Sequence, residues 1–379
     1  MGTIAMVARR VGEKDNNGAA VSGVQAIYLA FFVSILIGIP GIIFSEDLLR
    51  MMGASEIVIQ EGKGFTKLML GSNMIIMLLF LINGIFRGAG DATLAMRTLW
   101  LSNGINIILD PMLIFGTGPF PELGVEGAAL ATVIGRGIGV CYQFYHLFKG
   151  KGIIKIHSQN WQFRREIILK LIKVSAGGTG QFIIASASWI FLMRIISYFG
   201  STALAGYTLA IRVMIFTLLP AWGISGAAAT MVGQNLGANQ PARAEKSVWR
   251  TGIFNMIYMG SVMIIYLLSA EILIRFFTNE EEVITYATKC LVTLSFGYIF
   301  YAFGMVIIQS FNGSGDTRTP TIINFFVFWT FQIPLAYILS ISFTLGPSGA
   351  FYAILIAESI LTIISFLIFR KGKWKLVKI

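Results

Sequence analysis

The hexapeptide Phe86-Arg87-Gly88-Ala89-Gly90-Asp91 recurs almost unchanged as Phe311-Asn312-Gly313-Ser314-Gly315-Asp316, which begins 225 residues later. A second pair of segments stands at the same offset, namely Met6-Val7-Ala8-Arg9-Arg10-Val11-Gly12 and Met231-Val232-Gly233-Gln234-Asn235-Leu236-Gly237. Two matches at one spacing indicate a duplicated unit. The chain is therefore predicted to consist of two homologous halves that join near residue 165.

The duplication continues beyond the two aspartates after a slip of three residues. Leu123-Gly124 through Gly127-Ala128 corresponds to Leu345-Gly346 through Gly349-Ala350, and Lys149-Gly150-Lys151 corresponds to Lys371-Gly372-Lys373. These boundaries predict an N-terminal bundle over 1–148, a linker over 149–165 and a C-terminal bundle over 166–379.

The composition is that of a membrane protein. Hydrophobic residues make up 56% of the chain and charged residues only 12%, with a mean hydropathy of +0.76, whereas charged residues alone account for about 25% of a soluble protein. The apolar runs reach the roughly 20 residues that a helix needs to cross a bilayer. Barrel strands alternate over only about ten residues, so the sequence predicts an all-α membrane protein.

Ten transmembrane helices are predicted, four in the first half and six in the second. The spans are 21–44, 62–85, 93–116, 125–148, 170–197, 203–230, 246–270, 284–311, 319–342 and 347–369. The alternate loops that share one side of the membrane carry 21 of the 29 basic residues. Because basic loops stay in the cytoplasm, both termini are expected to be cytoplasmic, in a plasma (inner) membrane protein.

The remaining features argue against other classes of protein. The net charge of +11 comes without a basic cluster interleaved with aromatic residues, which argues against binding to nucleic acid. Cys141 and Cys290 fall in different halves and are expected to be buried without a disulfide. Because no metal-ligand spacing exists, no cofactor or resident metal is expected. Residues 149–170 are interpreted as an interfacial linker.

The two Gly-Xaa-Gly-Asp turns allow two interpretations. Glycine-rich loops cradle phosphate through backbone N–H groups, but these turns follow no strand and lack the P-loop lysine. A tight turn followed by an aspartate that caps the next helix is the favoured explanation.

Polar residues inside the predicted spans are the candidates for function, because intramembrane charges are costly. Asp110 lies about 9 Å from the outer end of its span, and Asn106 shares its helix face four residues earlier. Thr132 arrives at a depth of about 10 Å on the next span. Their oxygen atoms would suit a proton or a hard cation such as Na⁺. Alternatively, Asp110-Pro111 marks a helix break whose polar atoms satisfy one another.

Arg212 and Glu358 are both placed near the middle of the membrane in the second half. A buried ion pair is the favoured interpretation of these two residues. The repeat puts Arg136 at the position equivalent to Glu358, so the two halves differ in charge there.

Three segments resemble the signatures of the multidrug and toxic compound extrusion (MATE) family, and the similarity covers essentially the whole chain. They are Gly233-Gln234-Asn235-Leu236-Gly237-Ala238, Arg87-Gly88-Ala89-Gly90-Asp91 and Leu109-Asp110-Pro111-Met112-Leu113-Ile114-Phe115-Gly116. The resemblance implies two six-helix bundles, a cavity that alternates between the membrane faces, and export of lipophilic organic cations in exchange for Na⁺ or protons. The protein would then be a monomeric transporter surrounded by lipid, and not an enzyme.

The resemblance also carries residues over. Asn106 and Asp110 match the polar pair of the DinF-like branch, Thr132 matches its threonine, and Asn83 is a further candidate near the inner end of its span. The acidic residues of the NorM-like branch are absent, since Ala185 and Tyr301 occupy those positions. The acidic residue of the family's first helix has no counterpart to compare.

The leading hypothesis is cation-coupled multidrug antiport, and three alternatives stay open. A lipid-linked oligosaccharide or polysaccharide flippase of the same superfamily would prefer a basic cavity, to which Arg136 and Arg212 would contribute. A membrane-embedded transferase would need catalytic residues in large loops. The third alternative, an inactive fragment, follows from the four-plus-six split: about 60 residues, or two helices, that precede Met231 have no counterpart before Met6. The first half is therefore expected to lack its first two helices.

Overall fold

The chain folds into a succession of helices, and the computed structural model describes residues 1–150 and 152–379. Lys151, which belongs to the repeated segment Lys149-Gly150-Lys151 and to the predicted linker, lies outside the described residues. The helices are α1 (Gly2–Gly12), α2 (Asn16–Ile43), α3 (Ser45–Met51), α4 (Glu56–Gly71), α5 (Asn73–Ala89), α6 (Ala92–Phe115), α7 (Gly124–Lys149), α8 (Arg165–Ser197), α9 (Ser201–Gly237), α10 (Pro241–Arg275), α11 (Glu281–Ser295), α12 (Tyr298–Ser314), α13 (Arg318–Ser342) and α14 (Pro347–Arg370).

The number of membrane-crossing helices agrees with the sequence. Among the described residues, eight helices are long and apolar enough to span a bilayer, and the number rises to ten if each of two bent pairs is one span. Four of these spans precede the linker and six follow it, counting α4 with α5 and α11 with α12. The predicted all-α membrane fold with about ten spans, four plus six, is confirmed.

Two of the predicted spans, 62–85 and 284–311, are each formed by a bent pair of helices. Helices α4 and α5 meet at an angle of 45°, and α11 and α12 at 59°. The first break falls at Gly71-Ser72, where the Ser72 hydroxyl donates to the Leu68 carbonyl over 2.7 Å. Paired glycine and serine weaken the helical hydrogen-bond ladder and allow sharp kinks.

The break recurs at the equivalent place in the second half, because Gly297 stands 225 residues after Ser72. Glycine destabilises the interior of a helix because its backbone is free to adopt many conformations, which favours a break at this point.

The duplication extends to the backbone of the Gly-Xaa-Gly-Asp turns. Gly90 and Gly315 each end a helix in the left-handed conformation, with φ of 91° and 93°. Asp91 accepts the Leu94 N–H at 3.0 Å, and Asp316 accepts the Thr319 N–H at 3.1 Å. The N–H groups of Gly90 and Asp91 bond to carbonyls of their own helix. The interpretation as capped turns is therefore confirmed, and a phosphate cradle is not formed by these groups.

The described chain divides into two compact units. One comprises Met6–Leu171, and the other comprises Met1–Ala5 together with Ile172–Ile379. The predicted boundaries at 148 and 165 stay predictions, since the units follow spatial contacts and not the repeat.

The predicted linker packs inside the first of these units, against α2. The Gln25 side chain donates to the Gln162 carbonyl at 2.9 Å and accepts from the Arg164 N–H at 2.9 Å. The Tyr28 hydroxyl donates to the Trp161 carbonyl at 2.7 Å. These contacts hold residues 161–164 in a defined path on α2, because a buried glutamine that satisfies both of its amide ends is costly to displace.

Candidate functional site

Helices α6 and α7 approach each other closely because small residues line the contact. Gly127, Ala131, Gly135 and Gly139 recur at every fourth position of α7, and all four are buried. A Cβ atom on Gly135 would lie 2.7 Å from the Ser102 carbonyl oxygen. Small residues at this spacing are the usual means by which membrane helices pack backbone to backbone.

This close contact brings together the three polar residues predicted from the sequence. The Asn106 amide nitrogen donates to Asp110 Oδ1 at 3.1 Å within α6, and to Thr132 Oγ1 at 3.4 Å on α7. Asn106 thereby joins the two helices. The predicted placement of Asn106, Asp110 and Thr132 at a common level agrees with this geometry.

The cluster has the chemistry of a site for a small cation. Asp110 is half-buried, and neither a salt bridge nor a second hydrogen bond engages its carboxylate in the described chain. Two carboxylate oxygens, the Asn106 amide oxygen and the Thr132 hydroxyl are the hard ligands that Na⁺ or a proton would use. Pro111 adds to this polarity, since it lacks the N–H that would bond the carbonyl of the preceding turn.

Asn83 does not join this cluster through any hydrogen bond. It lies on α5, is 5% exposed, and its amide nitrogen and oxygen have no hydrogen-bond partner among the described residues. A buried amide without partners costs free energy, so Asn83 remains a candidate for a polar site residue.

The predicted ion pair between Arg212 and Glu358 is not formed. Glu358 faces a cavity in the second unit, whereas Arg212 is exposed and does not line that cavity. The reason is helical geometry. The cavity-lining residues of α9 include Ile211 and Ile215, and Arg212 lies one residue along, about 100° around the helix from Ile211.

The cavity in the second unit has a volume of about 420 Å³. Its wall includes Ala185 and Tyr301, the two positions that the family comparison had marked for missing acids, together with Glu358. Sequence analysis did not find Ser188 and Gln332, which also line it. Neither stands in a motif, so only the packing of α8 and α13 identifies them.

These features define a multi-pass helical membrane protein with polar groups placed between its helices. The MatE family model matches residues 1–112 and 179–338. The chain belongs to the MatE family, whose members are transporters and not enzymes.

Several relatives are similar along most of their length. The probable multidrug resistance protein YoeA of Bacillus subtilis is 28% identical over 344 residues, which are 89% of this chain and 74% of the relative. The probable multidrug resistance protein NorM of Thermotoga maritima is 27% identical over 99% of this chain and 81% of the relative. The multidrug export protein MepA of Staphylococcus aureus is 22% identical over 97% of this chain.

Experimental structures share the fold. A crystal structure of MATE in complex with MaL6 has a TM-score of 0.92 at 26% identity and covers 99% of this chain and 84% of that one. A MOP superfamily transporter from Pyrococcus furiosus, whose reverse pocket polarity is said to suggest a different function, has a TM-score of 0.91 at 27% identity and covers 98% of this chain and 82% of that one. The comparisons do not bear out the expectation that two helices are missing from the first half.

Proposed function

We propose that this protein is a secondary multidrug antiporter that exports lipophilic organic cations in exchange for Na⁺ or protons. The observation that carries the proposal is the Asp110 carboxylate, which is held by Asn106 and has no cationic partner in the described chain. An intramembrane acid without a partner is expected to be a functional site. The names of the relatives YoeA, NorM and MepA support multidrug export as the activity.

Each residue of the cluster has a role in this proposal. Asp110 binds the coupling ion and alternates between an ion-bound and an ion-free state. Asn106 orients the carboxylate through the bond at 3.1 Å, and Thr132 supplies a hydroxyl from α7. Asn106 bonds to Asp110 on α6 and to Thr132 on α7. A change in ion occupancy at Asp110 would therefore alter the contact between α6 and α7. The coupling ion is transported, and no resident cofactor is required.

A flippase for anionic lipid-linked sugars is the second candidate, and the charge of the cavity in the second unit argues against it. Among the described residues, Glu358 is the only acidic side chain that lines the cavity, and no arginine or lysine lines it. A polyanionic headgroup would be repelled by a carboxylate in a medium of low dielectric. Arg212 and Arg136, the two residues that left this alternative open, do not line the cavity.

The test is ethidium export from cells that express the chain, with the Na⁺ gradient and the proton gradient collapsed separately by ionophores. Export should stop when one of the two gradients is removed and persist when the other is removed. Cells that accumulate ethidium as fast as cells carrying an empty vector would contradict export. Export that survives the loss of both gradients would contradict antiport.

We further propose that the protein sits as a monomer in the plasma (inner) membrane among bilayer lipids, with both termini and the loops at 87–92 and 149–168 in the cytoplasm. A Ser158→Cys variant tests this orientation in a background with Cys141 and Cys290 replaced by alanine. Ser158 is exposed, so a membrane-impermeant maleimide should label it only in permeabilised cells. The matched control is Glu56→Cys at the exposed start of α4, which intact cells should label. Labelling of Ser158→Cys in intact cells would reverse the orientation.

A further inference from the structure

The cavity of the second unit is a mostly apolar chamber with an aromatic wall. Seven of its 21 lining residues are aromatic: Phe182, Trp189, Tyr207, Trp222, Tyr298, Tyr301 and Phe328. Its volume of about 420 Å³ falls within the roughly 300–1,000 Å³ of typical small-molecule sites. The size and lining suit one compact lipophilic molecule.

Glu358 brings a single carboxylate into this chamber. It lies on α14, makes no side-chain hydrogen bond or salt bridge with any described residue, and is the only charged residue in the lining. A carboxylate in apolar surroundings is strongly destabilised unless a positive charge or a donor compensates it. No arginine or lysine of the described residues lines the cavity, so a cationic ligand would supply the compensating charge.

The wall around the carboxylate can also stabilise a cation. Aromatic ring faces attract positive charge, most strongly those of tryptophan and tyrosine. Trp189 donates its indole N–H to the Tyr207 hydroxyl at 2.9 Å, which fixes these two side chains before any ligand arrives. A preorganised wall costs less ordering entropy on binding.

Two buried polar side chains also belong to the lining. The Ser188 hydroxyl is buried, with the residue 2% exposed, and has no hydrogen-bond partner among the described residues. Gln332 is 4% exposed and lines the same cavity. A ligand with a polar substituent would satisfy these groups and gain orientation from them.

The lining does not suit a bare inorganic cation. Hard cations take about six oxygen ligands at short distance, whereas Glu358 is surrounded mainly by aromatic and aliphatic side chains such as Leu355 and Ile354. One acidic group within an apolar, aromatic chamber instead matches a lipophilic monovalent organic cation.

We propose that the cavity between α8, α9, α12, α13 and α14 is a binding site for a lipophilic organic cation, and that Glu358 is its charge-recognition residue. The proposal rests on the proposed function only in taking this cation to be the exported substrate. It assigns substrate and coupling ion to different residues: Glu358 holds the drug, and Asp110 holds the ion.

The test compares two probes of nearly the same shape that differ in charge, methyltriphenylphosphonium and neutral triphenylphosphine oxide. Their binding to the purified full chain in detergent is measured by equilibrium dialysis. Glu358→Gln should weaken binding of the cation by at least about tenfold, as expected for a desolvated charge pair, and leave binding of the neutral probe unchanged. Glu358→Asp, which keeps the charge, should retain most of the binding of the cation.

Two further variants separate the possible failures. Glu282→Gln removes an exposed carboxylate of the same half and should not change binding of either probe. Ala185→Trp, which fills the cavity, should weaken the binding of both probes. The proposal is wrong if Glu358→Gln binds the cation with the same affinity as the unsubstituted chain does. It is also wrong if the variant loses affinity for both probes equally. Loss of only the cation, in a chain that exports nothing, would uphold the site and contradict the proposed function.

Discussion

Asp110→Asn should abolish gradient-driven export of ethidium from proteoliposomes while leaving the protein folded. Asparagine keeps the shape of aspartate and an oxygen that can accept from Asn106, so the bond that joins α6 and α7 through Asn106 can persist. The variant lacks the charge that binds a coupling ion. Two unit charges about 4 Å apart interact by about 4 kcal/mol at an effective dielectric constant of 20. Affinity for the ion should therefore fall by about a hundredfold or more.

The control for Asp110→Asn is Glu122→Gln, which removes an exposed carboxylate from the loop that follows α6. Export by this variant should match that of the unsubstituted chain. Asn106→Ala provides an intermediate case, because it removes the donor to Asp110 without removing the charge, and it should weaken coupling by about tenfold. Full export by Asp110→Asn would contradict the role of Asp110 as the ion site. It would support the alternative, in which Asp110-Pro111 marks a helix break whose polar atoms only satisfy one another.

Gly135→Val should destabilise the first unit and eliminate transport. A Cβ at this position would lie 2.7 Å from the Ser102 carbonyl oxygen and 3.2 Å from the Asn106 backbone nitrogen, and backbone atoms have little freedom to move aside. Helices α6 and α7 would have to separate, and the contact of 3.4 Å between Asn106 and Thr132 would be lost. Overpacking of this kind costs about 3 kcal/mol. The measurement is the thermal unfolding midpoint of the purified protein, together with ethidium export.

A matched substitution two residues away isolates the steric effect. Gly137 lies on the same helix, and a Cβ there would come no closer than 4.0 Å to the atoms of neighbouring residues, the nearest being Ile75 Cδ1. Gly137→Val has the same effect on helix propensity as Gly135→Val, yet it should keep the original midpoint and export. Equal midpoints for the two variants would show that close packing of α6 on α7 does not hold the site.

The duplicated architecture could be predicted from the sequence because whole segments recur at one offset, and its turns could be predicted because their signals are local. A Gly-Xaa-Gly-Asp segment contains both the glycine that adopts positive φ and the aspartate that caps the next helix. Asn106 and Asp110 are four residues apart, a spacing that places them on one helix face in any α-helix. Chain order and helical rise were therefore sufficient to predict this pair and the depth of Thr132.

The rotation of each helix about its axis was decided only by the tertiary structure. Hydropathy gives the depth of Arg212 and Glu358 in the membrane but not the direction in which each side chain points. In lipid, the faces that contact neighbouring helices and the faces that contact hydrocarbon are both apolar, so no amphipathic pattern reveals the inner face. The two breaks at Ser72 and Gly297 could not be predicted from hydropathy either, because the segments on both sides of each break are apolar.

The sequence by itself determined the repeat, through matching segments 225 residues apart. It also determined the number of spans, the capped turns and the polar pair on α6, which depend on neighbours a few residues apart. The tertiary structure decided that Thr132 bonds to Asn106, that Arg212 and Glu358 are not paired, and that Glu358 lines an aromatic cavity. Those contacts join residues from different helices. They depend on close packing at small residues such as Gly135, which fixes how each helix is rotated against the next.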